Sequence, residues 1–315
     1  MQGSKKVVYA ALLGNSLIAT TKFAAAFYTG SSAMLSEAIH SVVDTGNQLL
    51  LLHGMRRAAR TADEHHPFGY GMELYFWSFV VAILIFALGA GVSIYEGVQK
   101  ILHPHPVTDP YVNYIVLGVA LALEAGAWSF AFKEFKKSKG RLGFLAAMRQ
   151  SKDPAVFAVL FEDSAAMLGL IAAFLGIGLG QVFDLPVLDA VASVVIGLIL
   201  AVTATLLAHE CKGLLIGESA SPAVVAKVRR LATKAPGIRR INEILTMHLG
   251  PEDVLLNLSL DIDDAMTAGE VEAAISALEA QIKRESPEIK RVFIEVQNWA
   301  AHLKSAAKAE QPEGS

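Results

Sequence analysis

Six segments of this 315-residue chain are long and apolar enough to span a bilayer, and no other feature restricts its fold as severely. A helix needs roughly 20 mostly apolar residues to cross the hydrocarbon core. The segments are Val7–Tyr28, Ser32–His53, Leu74–Val98, Val112–Phe132, Ala155–Phe183 and Leu185–Ala208. Tight connections at Tyr28–Ser32 and Phe183–Pro186 make helical hairpins of spans one and two and of spans five and six. Between spans three and four, His103-Pro104-His105-Pro106 cannot remain helical.

Charge follows the same division. Only 18% of the residues are charged, yet residues 218–315 hold 12 Lys/Arg and 15 Asp/Glu. The expected organisation is a transmembrane domain over 1–217, a small cytoplasmic α+β domain over 218–300 and a disordered tail over 301–315. Lys5, Lys6, Arg56, Arg57, Arg60, Lys133, Lys136, Lys137, Lys139, Arg141, Arg149, Lys152 and Lys212 flank the spans on one side, and the opposite loops offer only Lys100. The positive-inside rule therefore puts both termini in the cytoplasm. Met1–Lys6 leads straight into span one, so no presequence is expected, and the Ala- and Gly-rich chain points to a bacterial cytoplasmic membrane. A net charge of −3 gives no reason to expect a nucleic-acid partner. The single cysteine, Cys211, excludes an internal disulfide, a zinc finger and an iron–sulfur cluster, and reads as a small buried hydrophobe.

Beyond Gly217 the periodicities are those of a soluble domain. Ser221-Pro222 opens an amphipathic helix to about Lys234, with proline at the first helical position. Ile241–His248 and Val254–Ile262 read as strands, the second placing Leu256, Leu258, Leu260 and Ile262 on one side. Thr267 and Glu270 form a capping box for a helix to Arg284, and Val292, Ile294 and Val296 alternate in a last strand. The order α-β-β-α-β is ferredoxin-like.

Ionisable residues inside spans are costly and are candidates for function by default. His40 and Asp44 lie one helical turn apart on one face of span two, with Asn47 at the next turn, and span five carries Glu162 and Asp163. Imidazole with carboxylates is a ligand set for Zn²⁺, and equally for Mn²⁺, Fe²⁺ or Co²⁺. Two readings stand open on spacing alone: a metal site closed between the two spans, or an interhelical hydrogen bond beside carboxylates that face a water-filled vestibule. Lys22 and Glu124 are expected to pair across spans one and four, Glu37 and Glu96 to reach the headgroups, and Asp189 to serve the N-terminus of span six. Asp63, His65 and His66 offer a weaker metal site in the loop after span two, and His103 with His105 another on the opposite face. Neither His-Glu-x-x-His nor Gly-x-Ser-x-Gly occurs, so no enzyme of those classes is expected.

The order of spans and domain resembles the cation diffusion facilitators. So do Ser36-Glu37-Ala38-Ile39-His40-Ser41-Val42-Val43-Asp44 in span two and Ala62-Asp63-Glu64-His65-His66-Pro67-Phe68-Gly69-Tyr70-Gly71 after it. Asp44-Thr45-Gly46-Asn47-Gln48, Ser151-Lys152-Asp153-Pro154 and Leu160-Phe161-Glu162-Asp163-Ser164-Ala165-Ala166 are similar to the zinc transporter 9-like branch. The resemblance implies a homodimeric transporter that exports a divalent metal in exchange for protons, with zinc the first expectation, and no cofactor. It implies His40, Asp44 and Asp163 as ligands. Val159 occupies the family's remaining ligand position and cannot coordinate, which leaves Glu162, Asn47 or water as the fourth donor, Glu162 being favoured. In the loop Asp63 and His66 match, but Tyr70 replaces a histidine that some members use. Asn242, Ser259 and Glu295 stand where histidines are usual in the C-terminal domain, so no binuclear zinc site is expected there and the domain should dimerise by packing. The competing class is a metal-responsive membrane scaffold that no longer transports.

Overall fold

The computed structural model describes residues 2–138 and 154–309. Lys139, Arg141, Arg149, Lys152 and most of the Ser151-Lys152-Asp153-Pro154 motif lie outside the described residues. The chain forms two compact units, one built from the residues up to Ala59 with Glu73–Lys212, the other from Arg60–Met72 with the chain from Gly213 onward. The second boundary differs from the expected one at 217. The loop Arg60–Met72, although it joins two membrane-domain helices, belongs to the C-terminal unit.

The first unit is helical: α1 (Gln2–Thr29), α2 (Ser32–Ala58), α3 (Glu73–Leu84), α4 (Gly91–Leu102), α5 (Pro110–Ser138), α6 (Pro154–Val182) and α7 (Val187–Leu215). A π-helical turn, Ile85–Ala90, joins α3 to α4 in one run. Proline opens α5 and α6, where its missing N–H costs nothing. Among the described residues, three helical runs are long and apolar enough to cross a membrane: Glu73–Leu102, Ala158–Val182 and Val187–Leu215. In α5 the apolar stretch is shorter, Pro110–Gly126. The other expected spans are helical over comparable lengths, but Lys22 interrupts α1, and Ser36, Glu37, His40, Asp44, Asn47 and Gln48 interrupt α2. Among the α2 residues that lower its hydropathy, Asp44 and Gln48 line the site described below.

Large side chains such as Phe27, Ile115, Leu168 and Val202 face outward, while Ala26, Ala38, Ala165, Ala173 and Ala190 are buried. Small residues at the contacts let helices approach closely, the usual arrangement where lipid removes the hydrophobic drive to pack. Gly97 and Gly197 carry this furthest. A Cβ on Gly97 would stand 2.8 Å from the Ala190 carbonyl oxygen, and one on Gly197 3.0 Å from that of Ala90, so α4 and α7 meet backbone to backbone.

At one end of this unit Gly30 adopts φ +67° and Ser31 caps α2 by accepting from the Met34 N–H. Asp189 does more there than serve its own helix. It accepts from Ser31 Oγ at 2.5 Å, from the Ser32 N–H at 2.8 Å and from Lys100 Nζ at 2.7 Å. Lys100 also donates to the Gly30 carbonyl at 2.6 Å and is 4% exposed, so this loop-side lysine is a buried, neutralised charge. Cys211 is buried and free, as a small hydrophobe should be.

The C-terminal unit has the order α8 (Pro222–Lys234), β1 (Ile238–Gly250), β2 (Asp253–Ile262), α9 (Ala268–Glu285), β3 (Ile289–Val296) and α10 (Trp299–Ala309). β2 is central, antiparallel to β1 (Ile244 opposite Leu258) and parallel to β3 (Leu258 opposite Ile294). The parallel pair needs the α9 crossover. Val254, Leu256, Leu258 and Leu260 are completely buried and form a core with Val228 and Ala232 of α8 and Leu278 and Ile282 of α9. Thr267 and Glu270 make the expected capping box. Residues 301–309, placed by the sequence in the tail, are helical and continue α10, capped by Asn298 Oδ1 accepting from the Ala301 N–H at 2.8 Å.

Candidate metal centre

The face of α2 that carries His40, Asp44 and Asn47 turns inward. His40 is 1% exposed and Asn47 0%, so the helix buries a polar stripe where a soluble helix would bury leucines. His40 Nδ1 lies 3.4 Å from Asp44 Oδ1. Glu37 Oε1, both ring nitrogens of His40, Asp44 Oδ1 and Asn47 Oδ1 are buried without a hydrogen-bond partner among the described residues. Unpartnered buried polar atoms are rare because each carries its full desolvation cost. Those of His40 and Asp44, 3.4 Å apart, are donors that no protein group satisfies.

Facing this stripe is a cavity of about 20 Å³, room for roughly one water-sized species. Asn15, Ile18, Ser41, Asp44, Gln48, Glu124, Glu162 and Asp163 line it. Asn15 Nδ2 donates to Gln48 Oε1 at 3.1 Å across α1 and α2. Glu162 and Asp163 both reach the cavity from an unbroken α6, so their angular separation around the helix does not keep them apart. Glu162 Oε1 accepts from Asn47 Nδ2 at 2.9 Å, which ties the two site-bearing helices together. None of the lining residues is basic, and four carboxylates facing so small a space require compensating positive charge, from a cation or from protons.

The expected ligands are brought together in part. Asp44, Asp163 and Glu162 share the cavity; His40 touches Asp44 but does not line it, and Asn47 reaches it through Glu162. Among the described residues no three His, Cys, Asp or Glu side chains stand close enough to hold one ion as placed. Val159 is 37% exposed and takes no part. Glu124 is the residue that sequence reasoning misplaced. Lys22 Nζ bonds Glu37 Oε2 at 3.1 Å and Ser41 Oγ at 2.8 Å instead, and Glu37, expected at the headgroups, is fully buried. The signal available was Glu124's own position, a carboxylate midway along a span.

Residues 8–216 match the cation efflux transmembrane domain. The chain belongs to the cation efflux family. Members of this family are transporters, not enzymes. The chain is 32% identical to the mitochondrial proton-coupled zinc antiporter SLC30A9 of Xenopus laevis, over 94% of this chain and 60% of that protein. It is 24% identical to the cation-efflux pump FieF of Escherichia coli, over 86% of this chain and 85% of that pump. This chain thus spans about three fifths of the length of the Xenopus relative. A solved structure of the MamM C-terminal domain covers 24% of this chain and 95% of its own at 17% identity, with a TM-score of 0.23.

In this cation efflux protein the loop residues Asp63 and His66 are engaged with their own loop. Asp63 Oδ1 accepts from the His65 and His66 N–H groups at 3.1 and 2.8 Å, and Oδ2 accepts from Tyr70 Oη at 2.6 Å. His66 Nδ1 is 3.6 Å from Asp63. The Tyr70 hydroxyl, followed by the His66 amide, holds the Asp63 carboxyl below the ordinary aspartate range. A carboxylate whose folded value is lowered stabilises the loop above the ordinary aspartate range, near pH 3.9, and the contribution is lost as pH falls through the lowered value. The loop bonds are therefore fully formed at neutral pH. Tyr70→Phe should move the Asp63 titration upward, measurable by carboxyl-carbon NMR; no movement would mean the hydroxyl is not the cause. His103 and His105 line a separate cavity of about 330 Å³ with Glu96 and Gln99, beside Gly30. In the C-terminal unit Asn242 Nδ2 donates to Ser259 Oγ and to the Gln297 carbonyl, occupying positions where relatives were expected to place histidines.

Proposed function

We propose that this chain is a proton-coupled exporter of a divalent transition metal, Zn²⁺ before Mn²⁺, Fe²⁺ or Co²⁺, working by alternating access. His40, Asp44 and Asp163 are its ligands, Glu162 assists, and Asn47 positions Glu162. One observation carries the reading: Asp44, with a buried unpartnered oxygen, shares a small cavity with Glu124, Glu162 and Asp163 and no basic side chain, and the unpartnered ring of His40 lies 3.4 Å from it. The name of the Xenopus relative, a proton-coupled zinc antiporter, supports the choice of metal and of exchange ion.

These ligands bind a cation only when deprotonated, so metal and protons compete for the same atoms. On the neutral side the site loads metal. Opened to the acidic side it takes protons, for which an imidazole ordinarily titrating near pH 6.5 is suited, and the metal leaves. The return of the protonated site completes the exchange. We place six spans across the bilayer, with both termini on the side where Arg56, Arg57 and Arg60 gather, the cytoplasm of a bacterial inner membrane. Two copies associate through the C-terminal units, a reading supported by exposed Leu245, Phe293 and Val296. Asp63 and His66 close their loop in this scheme and hold no metal.

The test is zinc entry into acid-loaded proteoliposomes containing a zinc dye. Wild-type flux should require the pH gradient, and Asp44→Ala should lower it by at least about tenfold, the lower end of losses seen even for outer-shell partners. Binding without flux of zinc, manganese, iron or cobalt under any gradient would replace this proposal with the non-transporting scaffold.

A further inference from the structure

We propose that Glu124 of α5 is the fourth ligand of the transported metal, bound through oxygen, so that the site draws on three helices and not two. The proposal rests on the transport site described above and extends it.

Three observations lead to Glu124. It lines the same cavity as Asp44, Glu162 and Asp163. Lys22, its expected partner, is spent on Glu37 and Ser41, and among the described residues Glu124 makes no hydrogen bond or ion pair. Its position is fixed, because Trp128, one turn along α5, donates from Nε1 to Ser164 Oγ at 3.1 Å, and Ser164 follows Asp163 in α6. That bond sets Glu124 beside Asp163 at the depth of the cavity.

The other claimants for the fourth position are weaker. Val159 has no donor atom. Glu162 has one oxygen committed to Asn47. Asn47 is turned to Glu162 and does not line the cavity. Asp44, Glu124 and Asp163 are the cavity carboxylates with no hydrogen bond among the described residues, and Asp44 and Asp163 are already assigned as ligands. The ring of His40, 1% exposed, without a hydrogen bond and 3.4 Å from Asp44, adds an unused donor next to the cavity. A set of one imidazole and several carboxylate oxygens is harder than the two-histidine sets that favour zinc, so Glu124 also bears on selectivity by extending tolerance towards Mn²⁺.

The experiment uses the full chain in nanodiscs, with zinc and manganese dissociation constants measured by competition with a metal dye. Glu124→Gln should weaken both metals by at least about tenfold. Glu124→His should restore zinc but not manganese, a shift in ratio that a structural role for Glu124 cannot produce. Asp163→Asn serves as the reference. If it abolishes binding while Glu124→Gln leaves both constants within about twofold, Glu124 is not a ligand. Should Asp163→Asn itself leave binding intact, the transport site is misplaced and Glu124's role falls with it. Where Glu124→Gln folds poorly, the metal ratio of Glu124→His decides, and an unchanged ratio overturns the proposal.

Discussion

Lys22→Met is expected to destabilise the membrane unit by about 3–5 kcal/mol, and adding Glu37→Gln is expected to recover most of that loss. Lys22 and Glu37 are both 0% exposed, and their charged atoms meet at 3.1 Å inside a helical bundle. Removing the ammonium leaves a carboxylate with Ser41 as its remaining polar neighbour in the triad and a second oxygen, Oε1, already unpartnered. Glu37 has no room to retreat. Gly169 of α6 admits its Oε1 at so close a distance that a Cβ there would collide with it. The double variant removes both charges and keeps the shape, and a pair replaced as a unit is often neutral in its effect. Thermal unfolding in detergent, followed by loss of the monodisperse species, measures the difference. A double variant no more stable than Lys22→Met would mean that the methylene packing of Lys22, not its charge, is what the fold needs.

That pair also marks where the sequence stopped being legible. Helix ends are encoded locally, and Pro110, Pro154, Pro222 and the Thr267–Glu270 box stand where the helices begin. The strand alternation of Leu256, Leu258 and Leu260 named the buried face of β2 without any knowledge of its neighbours. Which charge meets which across helices depends on axial rotation and depth, and neither is written in one helix's spacing. Lys22 could be given to Glu124 on paper because both lie mid-span; packing gave it to Glu37 and left Glu124 to the cavity.

The remaining misreadings have the same origin. The loop Arg60–Met72 carries no periodicity, and its place in the C-terminal unit rests on contacts distant in sequence: Gly71 lies so near the Leu249 carbonyl that no Cβ would fit, and the Arg291 guanidinium stands 5.6 Å from the Phe68 ring. The segment after Trp299 looked disordered because polar composition outweighed a local signal, the cap supplied by Asn298. At the site, composition and spacing pointed to α2 and α6 and to Asp44, Glu162 and Asp163, which the structure places around one cavity. The cavity that relates them exists only once α1, α2, α5 and α6 are assembled.

Within the site, the largest functional effect is expected from Asp163→Asn, with Glu162→Gln clearly milder, although the two residues are adjacent and both line the cavity. The asymmetry follows from what each carboxylate already does. Glu162 Oε1 accepts from Asn47 Nδ2 at 2.9 Å, and a glutamine oxygen can accept the same bond, so the α2–α6 tie survives and only charge is lost. Asp163 has no such second duty among the described residues, and replacing its carboxylate removes one of the proposed ligands outright. Zinc flux should fall by more than about a hundredfold for Asp163→Asn, beyond what loss of an outer-shell partner costs, and by roughly tenfold for Glu162→Gln, within that range. Asn47→Ala should resemble Glu162→Gln, since it releases the same carboxylate from its hold. Equal loss from Glu162→Gln and Asp163→Asn would make Glu162 a direct ligand, and the bond to Asn47 would then be a resting contact that the arriving metal breaks.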